Sequence, residues 1–276
     1  MSVLIGYDET SYGRDALALG LQLAGETDQP PTVATVFPHD ERGLVMAMQD
    51  HEWLERVRQA AERKLDTART LVGNRSGIAF EAIGPTSAAR GLHEYAEQIR
   101  ASLLVVGSSE AAAMGRIAPG STVSRLLHGA PCPVAVAPRG YHRRPAPLRA
   151  IAVAYDGSPE AQHALDVVVP LAQRLEASLR LVGVTPKRDE ALQATLDTAA
   201  RDLPAEVKAV AEVIVDGDVV ETLADLPGQV TDLLVSGSRG YGPARQVLLG
   251  GVSSRVVRAA AYPVLIVPRG APADLV

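Results

Sequence analysis

Asp232-Leu233-Leu234-Val235-Ser236-Gly237-Ser238-Arg239-Gly240 is followed by Tyr241 to Leu249, and then by Gly250-Gly251-Val252-Ser253-Ser254-Arg255. The apolar run reaching Val235 reads as a buried strand. It stops at a glycine, passes through a glycine-rich excursion and re-enters a helix at Gly250. Strand, glycine loop and helix N-terminus together suit phosphate. Glycines let the backbone come close to an anion, and the first free N–H groups of the helix point at it. The spacing is Gly, two residues, Gly, nine residues, Gly. It differs from the Walker spacing and from the dinucleotide fingerprint, so neither a P-loop NTPase nor a Rossmann dehydrogenase is indicated.

Working outward, Ile151-Ala152-Val153-Ala154-Tyr155-Asp156-Gly157-Ser158 lies upstream, and Pro263 to Arg269 supplies another apolar run downstream. A fainter copy of the whole arrangement fills the first half. A shift of 130 sets Gly107 on Gly237, Gly120 on Gly250, Arg125 on Arg255 and Pro138-Arg139-Gly140 on Pro268-Arg269-Gly270, without a gap. A shift of 148 sets Tyr7-Asp8 on Tyr155-Asp156. The repeat divides the chain into domains at 1–140 and 149–276, with a Pro- and Arg-bearing linker from Arg139 to Arg149.

In the first half the periodicity predicts strands at Val3–Tyr7, Thr32–Val36, Ile78–Ile83, Leu103–Gly107 and Pro133–Pro138. In the second it predicts them at Arg149–Tyr155, Ser178–Val184, Val207–Val215, Asp232–Ser236 and Pro263–Pro268. Helical spacing separates them. The longest helix, Gln49 to Val72, presents Trp53, Val57, Ala61, Leu65, Ala68 and Leu71 on one face. Pro170 should bend the helix that carries it. Strands alternating with helices predict an α/β fold with a doubly wound, five-stranded parallel sheet in each half. The fifth strands are apolar and, if they stand at sheet edges, are expected to pair as an internal pseudo-dimer.

Composition narrows the classes. The 276 residues carry a net charge of -5, which argues against non-specific nucleic-acid binding. No apolar run reaches membrane-spanning length, and Met1 leads straight into a strand, so a cytoplasmic protein without a secretory leader is expected. The single Cys132 cannot form an internal disulfide and reads as a structural thiol. His39, His51, His93, His128, His142 and His163 show no metal-ligand spacing, and no metal site is expected.

The glycine spacing resembles the ATP-binding motif of the universal stress protein family, and the flanking motifs extend the resemblance over nearly the entire chain as a tandem of two domains. The resemblance implies strand order 3-2-1-4-5 in each half, an adenine-nucleotide alpha-hydrolase-like fold. It puts the ligand crevice between strands one and four, beyond their carboxyl ends. Asp156 would then accept hydrogen bonds from ribose or adenine, or help hold a divalent cation such as Mg2+. Val184 would lie against adenine. Gly237, Gly240, Gly250 and Gly251 would approach the phosphates, with Ser253 nearby. Arg239 reads equally as a phosphate partner and as a solvated loop charge. Gly251 stands where the family usually has Ser or Thr, which removes one hydroxyl contact.

The corresponding first-half positions are Asp8, Val36, Gly107, Gly120, Ser121 and Ser124. There the middle glycine is replaced by Glu110, followed by Ala111-Ala112-Ala113. The expectation is an ATP-binding, stress-response regulatory module whose second half binds more tightly, through phosphate repulsion by Glu110 in the first. The alternatives are a nucleotide-free interaction module and a slow ATP hydrolase. An adenylating or flavin-binding enzyme on a related fold is a further rival, but its Ser-Gly-Gly-x-Asp-Ser or His-Ile-Gly-His loop is missing. A homodimer of the whole chain stays open.

Overall fold

The computed structural model describes residues 2–25, 30–37, 51–215, 217–227, 231–238 and 251–271. The first half holds β1 (Val3–Gly6), β2 (Thr32–Val36), β3 (Ala79–Ile83), β4 (Leu103–Gly107) and β5 (Val134–Ala137). The second holds β6 (Ala150–Ala154), β7 (Ser178–Thr185), β8 (Ala209–Val215), β9 (Leu233–Gly237) and β10 (Val264–Val267). They form one ten-stranded sheet in the order β3-β2-β1-β4-β5-β10-β9-β6-β7-β8. Each half is parallel, in the expected order 3-2-1-4-5.

The fifth strands meet antiparallel, with Val264 opposite Val136, Leu265 opposite Ala135 and Ile266 opposite Val134. Every residue of both strands is buried. A Val, Leu or Ile side chain taken fully out of water is worth about 1.5–3 kcal/mol. Two apolar edges that would each invite foreign pairing thus satisfy one another.

Side chains alternate across the sheet. Val3 and Ile5 point to one face, Leu4 to the other; Leu103 and Val105 oppose Leu104 and Val106 in the same way. The first face is covered by α1 (Ser11–Ala24), α2 (His51–Val72), α5 (Pro159–Arg174) and α6 (Glu190–Arg201). The second carries α3 (Ala88–Gln98), α4 (Ser121–Gly129), α7 (Val219–Ala224) and α8 (Gly251–Ala259). Both apolar layers run through the β5–β10 seam without a break.

Local chemistry starts these helices. Thr10 caps α1, Ser87 caps α3 and Ser158 caps α5, each hydroxyl accepting from the N–H three residues on. Asp218 caps α7 by accepting from the N–H groups of Val220 and Glu221. The six residues of α7 carry less than two turns of periodicity, so the cap fixes its start more than any apolar pattern does. On α2, Ala61, Leu65, Ala68 and Val72 are buried, whereas Leu71, expected on that face, is 48% exposed. Helix α5 continues through Pro170 to Arg174. From its end Arg174 reaches into the other half, where Nη2 donates to Leu23 O at 2.6 Å.

Candidate functional site

The carboxyl ends of β6 and β9 lie side by side, with Ile151, Ala152 and Val153 registered against Leu233, Leu234 and Val235. Strand order reverses there, and an open α/β sheet leaves a ligand crevice beyond the strand ends at such a point. The crevice is a cavity of about 490 Å3. One wall is apolar: Val182 and Val184 from β7, Val219 and Leu223 from α7. The opposite wall is polar, with Asp156, Ser158, Ser236, Gly237, Ser253 and Arg255.

Each polar group has a local reason for its position. Gly157 turns the chain at φ +75°, a left-handed conformation that glycine adopts without strain. The turn lets Asp156 Oδ1 accept from the Ser158 N–H at 3.0 Å while the residue remains exposed at the crevice mouth. Behind it, Tyr155 donates to Gln162 Oε1 at 2.6 Å. Burial, with the Asp166 and Asp156 carboxylates, pushes the Tyr155 hydroxyl above its ordinary pKa and keeps it a donor. On the other side Ser253 Oγ donates to Gly237 O at 3.0 Å and lies 3.3 Å from Ser236 Oγ. This hydroxyl pair forms the floor and ties the first turn of α8 to the end of β9. Arg255 folds back along that turn, its Nε donating to Gly251 O at 3.1 Å.

The apolar wall and the polar rim meet at a helix N-terminus. Such a site suits a ligand with a flat apolar end and an anionic polar end.

The universal stress protein family profile matches residues 1–138 and again residues 147–268. The chain belongs to the universal stress protein family. The universal stress protein Rv2319c of Mycobacterium tuberculosis is 25% identical over 291 residues, covering 97% of this chain and 100% of its own. Rv2005c of the same organism is 30% identical over 230 residues, covering 73% and 77%. Among solved structures, a universal stress protein from Archaeoglobus fulgidus superposes with a TM-score of 0.77 at 20% identity, covering 98% of both chains.

In this universal stress protein the crevice gathers Asp156, Val184, Gly237, Gly251 and Ser253 from the set expected for the second half. Arg239, Gly240 and Gly250 lie outside the described residues. Gly237 has a packing reason of its own. A Cβ there would stand 2.5 Å from the Glu160 carbonyl oxygen, so the first turn of α5 is pressed onto the strand end. At Gly107 the corresponding clash, with Tyr12 O, would be at 1.9 Å. Gly251 has nothing within 4 Å.

The first half presents a different surface. Asp8 Oδ1 accepts from the Thr10 N–H at 3.2 Å and from the Thr10 hydroxyl, so that oxygen is engaged at the start of α1. The two floor serines are replaced by Val106 and Val123, both buried in an apolar cluster with Leu92 and Ile117. Val36 packs against the same cluster. Gly120 caps α4 with extended backbone, Ser121 opens that helix on the exposed side, and Ser124 O accepts from His128. Glu110 is exposed, and its carbonyl is held by Arg139. Solvent and salt screen an exposed carboxylate, which reduces its repulsion of a phosphate. Among the described residues the halves differ in the floor, valine against serine.

Sequence reasoning did not single out Ser236 or Arg255 as site residues, or Val219 as part of an apolar wall. A signal for the serines exists in the gap-free repeat, where Ser236 aligns with Val106 and Ser253 with Val123. That both serines face one crevice is visible only in the fold.

Proposed function

We propose that this universal stress protein binds one adenine nucleotide per chain, ATP in the first instance, in the second-half crevice, and serves as a regulatory binding module. The observation that carries this reading is the serine floor beneath a cavity with one apolar and one polar wall. Adenine packs between Val184 and the Val219–Leu223 face. Asp156 accepts from the ribose hydroxyls. The phosphates lie toward the first turn of α8, where Gly251 leaves room and Arg255 supplies positive charge; the sequence spacing assigns Arg239, Gly240 and Gly250 to the same phosphates.

Among the described residues no three His, Cys, Asp or Glu gather as a metal site. A Mg2+ ion arriving with the nucleotide would be held by phosphate oxygens and water, with Asp156 as the protein carboxylate nearest in chemistry to the task. The proposed role is binding, and a phosphate-release assay distinguishes it from slow hydrolysis. The valine-floored first half takes the nucleotide-free role.

Titration calorimetry of the full chain with ATP, ADP and AMP, with and without Mg2+, tests the reading. One equivalent of nucleotide is expected. Importing the first-half floor by Ser236→Val with Ser253→Val is expected to remove binding from a protein whose circular dichroism is unchanged. Two equivalents, or full binding by the double variant, would overturn the assignment.

A further inference from the structure

The loop between β4 and α4, residues 108–120, is the first-half counterpart of the glycine loop. It is pinned at both ends. Arg139 Nη1 donates to the carbonyls of Glu110 and Ala112 at 2.9 and 2.7 Å. The Arg139 N–H donates to Arg116 O at 3.0 Å, and the Gly115 N–H donates to Arg139 O at 2.8 Å. Further on, the Ala118 N–H donates to Ser108 Oγ at 2.8 Å, and Ile117 is inserted into the apolar core.

Between these anchors Arg116 crosses to the other half. Its Nη1 donates to Asp225 Oδ1 at 2.7 Å and to Ala259 O at 2.6 Å. Asp225 closes α7 and Ala259 ends α8. These are the two helices whose other residues line the second-half crevice. Their junction is also tied by the Ala261 N–H, which donates to Ala224 O at 3.2 Å, and by Tyr262, whose hydroxyl donates to Leu223 O and accepts from the Leu226 N–H. A guanidinium suits the place, because the C-terminal carbonyls of a helix carry partial negative charge and a carboxylate bond adds charge assistance.

We infer that Arg116 is a positioning residue for the ligand crevice of the opposite half. It clamps the C-terminal ends of α7 and α8 together and so sets how their crevice-lining residues face each other. Helix α8 has nine residues and is therefore about 13 Å long; a tilt of about 5° at one end moves the other by on the order of 1 Å. Shifts of that size matter to a bound ligand. An exposed ion pair by itself contributes little. Here one nitrogen bridges two helices, from a loop that is itself pinned. The first half then acts as a strut, and its loop supports the neighbouring site.

This inference rests on the nucleotide reading above, and the experiment separates the two. ATP with Mg2+ is titrated into full-length wild type, Arg116→Met, Arg116→Lys and Asp225→Asn. Arg116→Met is expected to weaken binding about three- to tenfold, within the range seen when residues remote from a ligand alter its binding. The loss should fall in the dissociation rate, with partial recovery in Arg116→Lys, which keeps a cationic donor. Hydrogen exchange should accelerate in residues 219–226 and 251–260 while β1 and β4 keep their protection. If Arg116→Met does not fold, Asp225→Asn, which weakens one leg only, is expected to cost about twofold. Unchanged affinity in folded variants would overturn the strut while leaving the nucleotide reading intact. Exchange rising uniformly through the chain, or no recovery in Arg116→Lys, would also overturn it. Wild type that binds no adenine nucleotide would overturn both.

Discussion

The His142 N–H donates to Asp15 Oδ1 at 2.8 Å, sewing the start of the linker onto the first helix. The other carboxylate oxygen accepts from the Gly140 N–H at 2.8 Å, and the His142 ring adds a third contact. Asp15 has no exposed surface. Asp15→Ala would leave two backbone donors without an acceptor, each costing about 1–3 kcal/mol when buried. A loss of about 2–4 kcal/mol is expected by urea denaturation. A loss below about 0.5 kcal/mol would show that water replaces the carboxylate.

Gly237 and Gly251 both line the crevice but differ in what surrounds them. Gly237→Ala would drive a methyl group into the Glu160 backbone, and overpacking of this kind costs about 1–3 kcal/mol. Gly251→Ala meets open space and introduces a better helix former. The expected result is a lower Tm for the first variant and an equal or higher Tm for the second. Equal destabilisation of both would contradict the packing account.

Tyr262 gives the fold an alkaline limit. Burial, partly offset by the bond from the Leu226 N–H, pushes its hydroxyl up to about 12 from the ordinary 10.0. A raised pKa means that the native state prefers the protonated form. The contribution is therefore full below pH 10.0 and is lost as pH rises toward about 12. Tyr262→Phe removes the titrating group and the bonds to Leu223 and Leu226. It is expected to lower stability by about 1–2 kcal/mol at neutral pH and to flatten the stability decline above pH 10.0. Chemical denaturation at stepped pH measures both effects.

Cys132 is 1% exposed, and burial pushes its thiol up to about 12. The thiolate is the reactive form, so iodoacetamide is expected to label the native protein very slowly at about pH 8.5, where a free thiol would be half ionised. Labelling should become complete in denaturant. Rapid native labelling, followed by mass spectrometry, would show that the site opens.

The architecture and half of the candidate site were legible in the residues themselves. Strand ends, caps and the glycine spacing are local signals: Thr10, Ser87 and Ser158 cap helices within three positions, and the order of apolar runs sets which strands need helical crossovers. The family resemblance added the placing of Asp156 beside Gly237, and the apolar runs at Val134–Ala137 and Val264–Val267 pointed to each other. The tertiary structure decided the rest. Arg116 meets Ala259 across 143 residues, Asp15 meets Gly140 across 125, and Arg174 meets Leu23 across 151. Each contact joins a side chain to a backbone group, and backbone groups carry no sequence signature. The floor of the crevice is intermediate: serine against valine can be read from the aligned halves. That Ser236 and Ser253 face each other follows only from α8 packing its first turn on the end of β9, because hydrogen bonds form between atoms that the fold brings within about 3 Å, however far apart they stand in the chain.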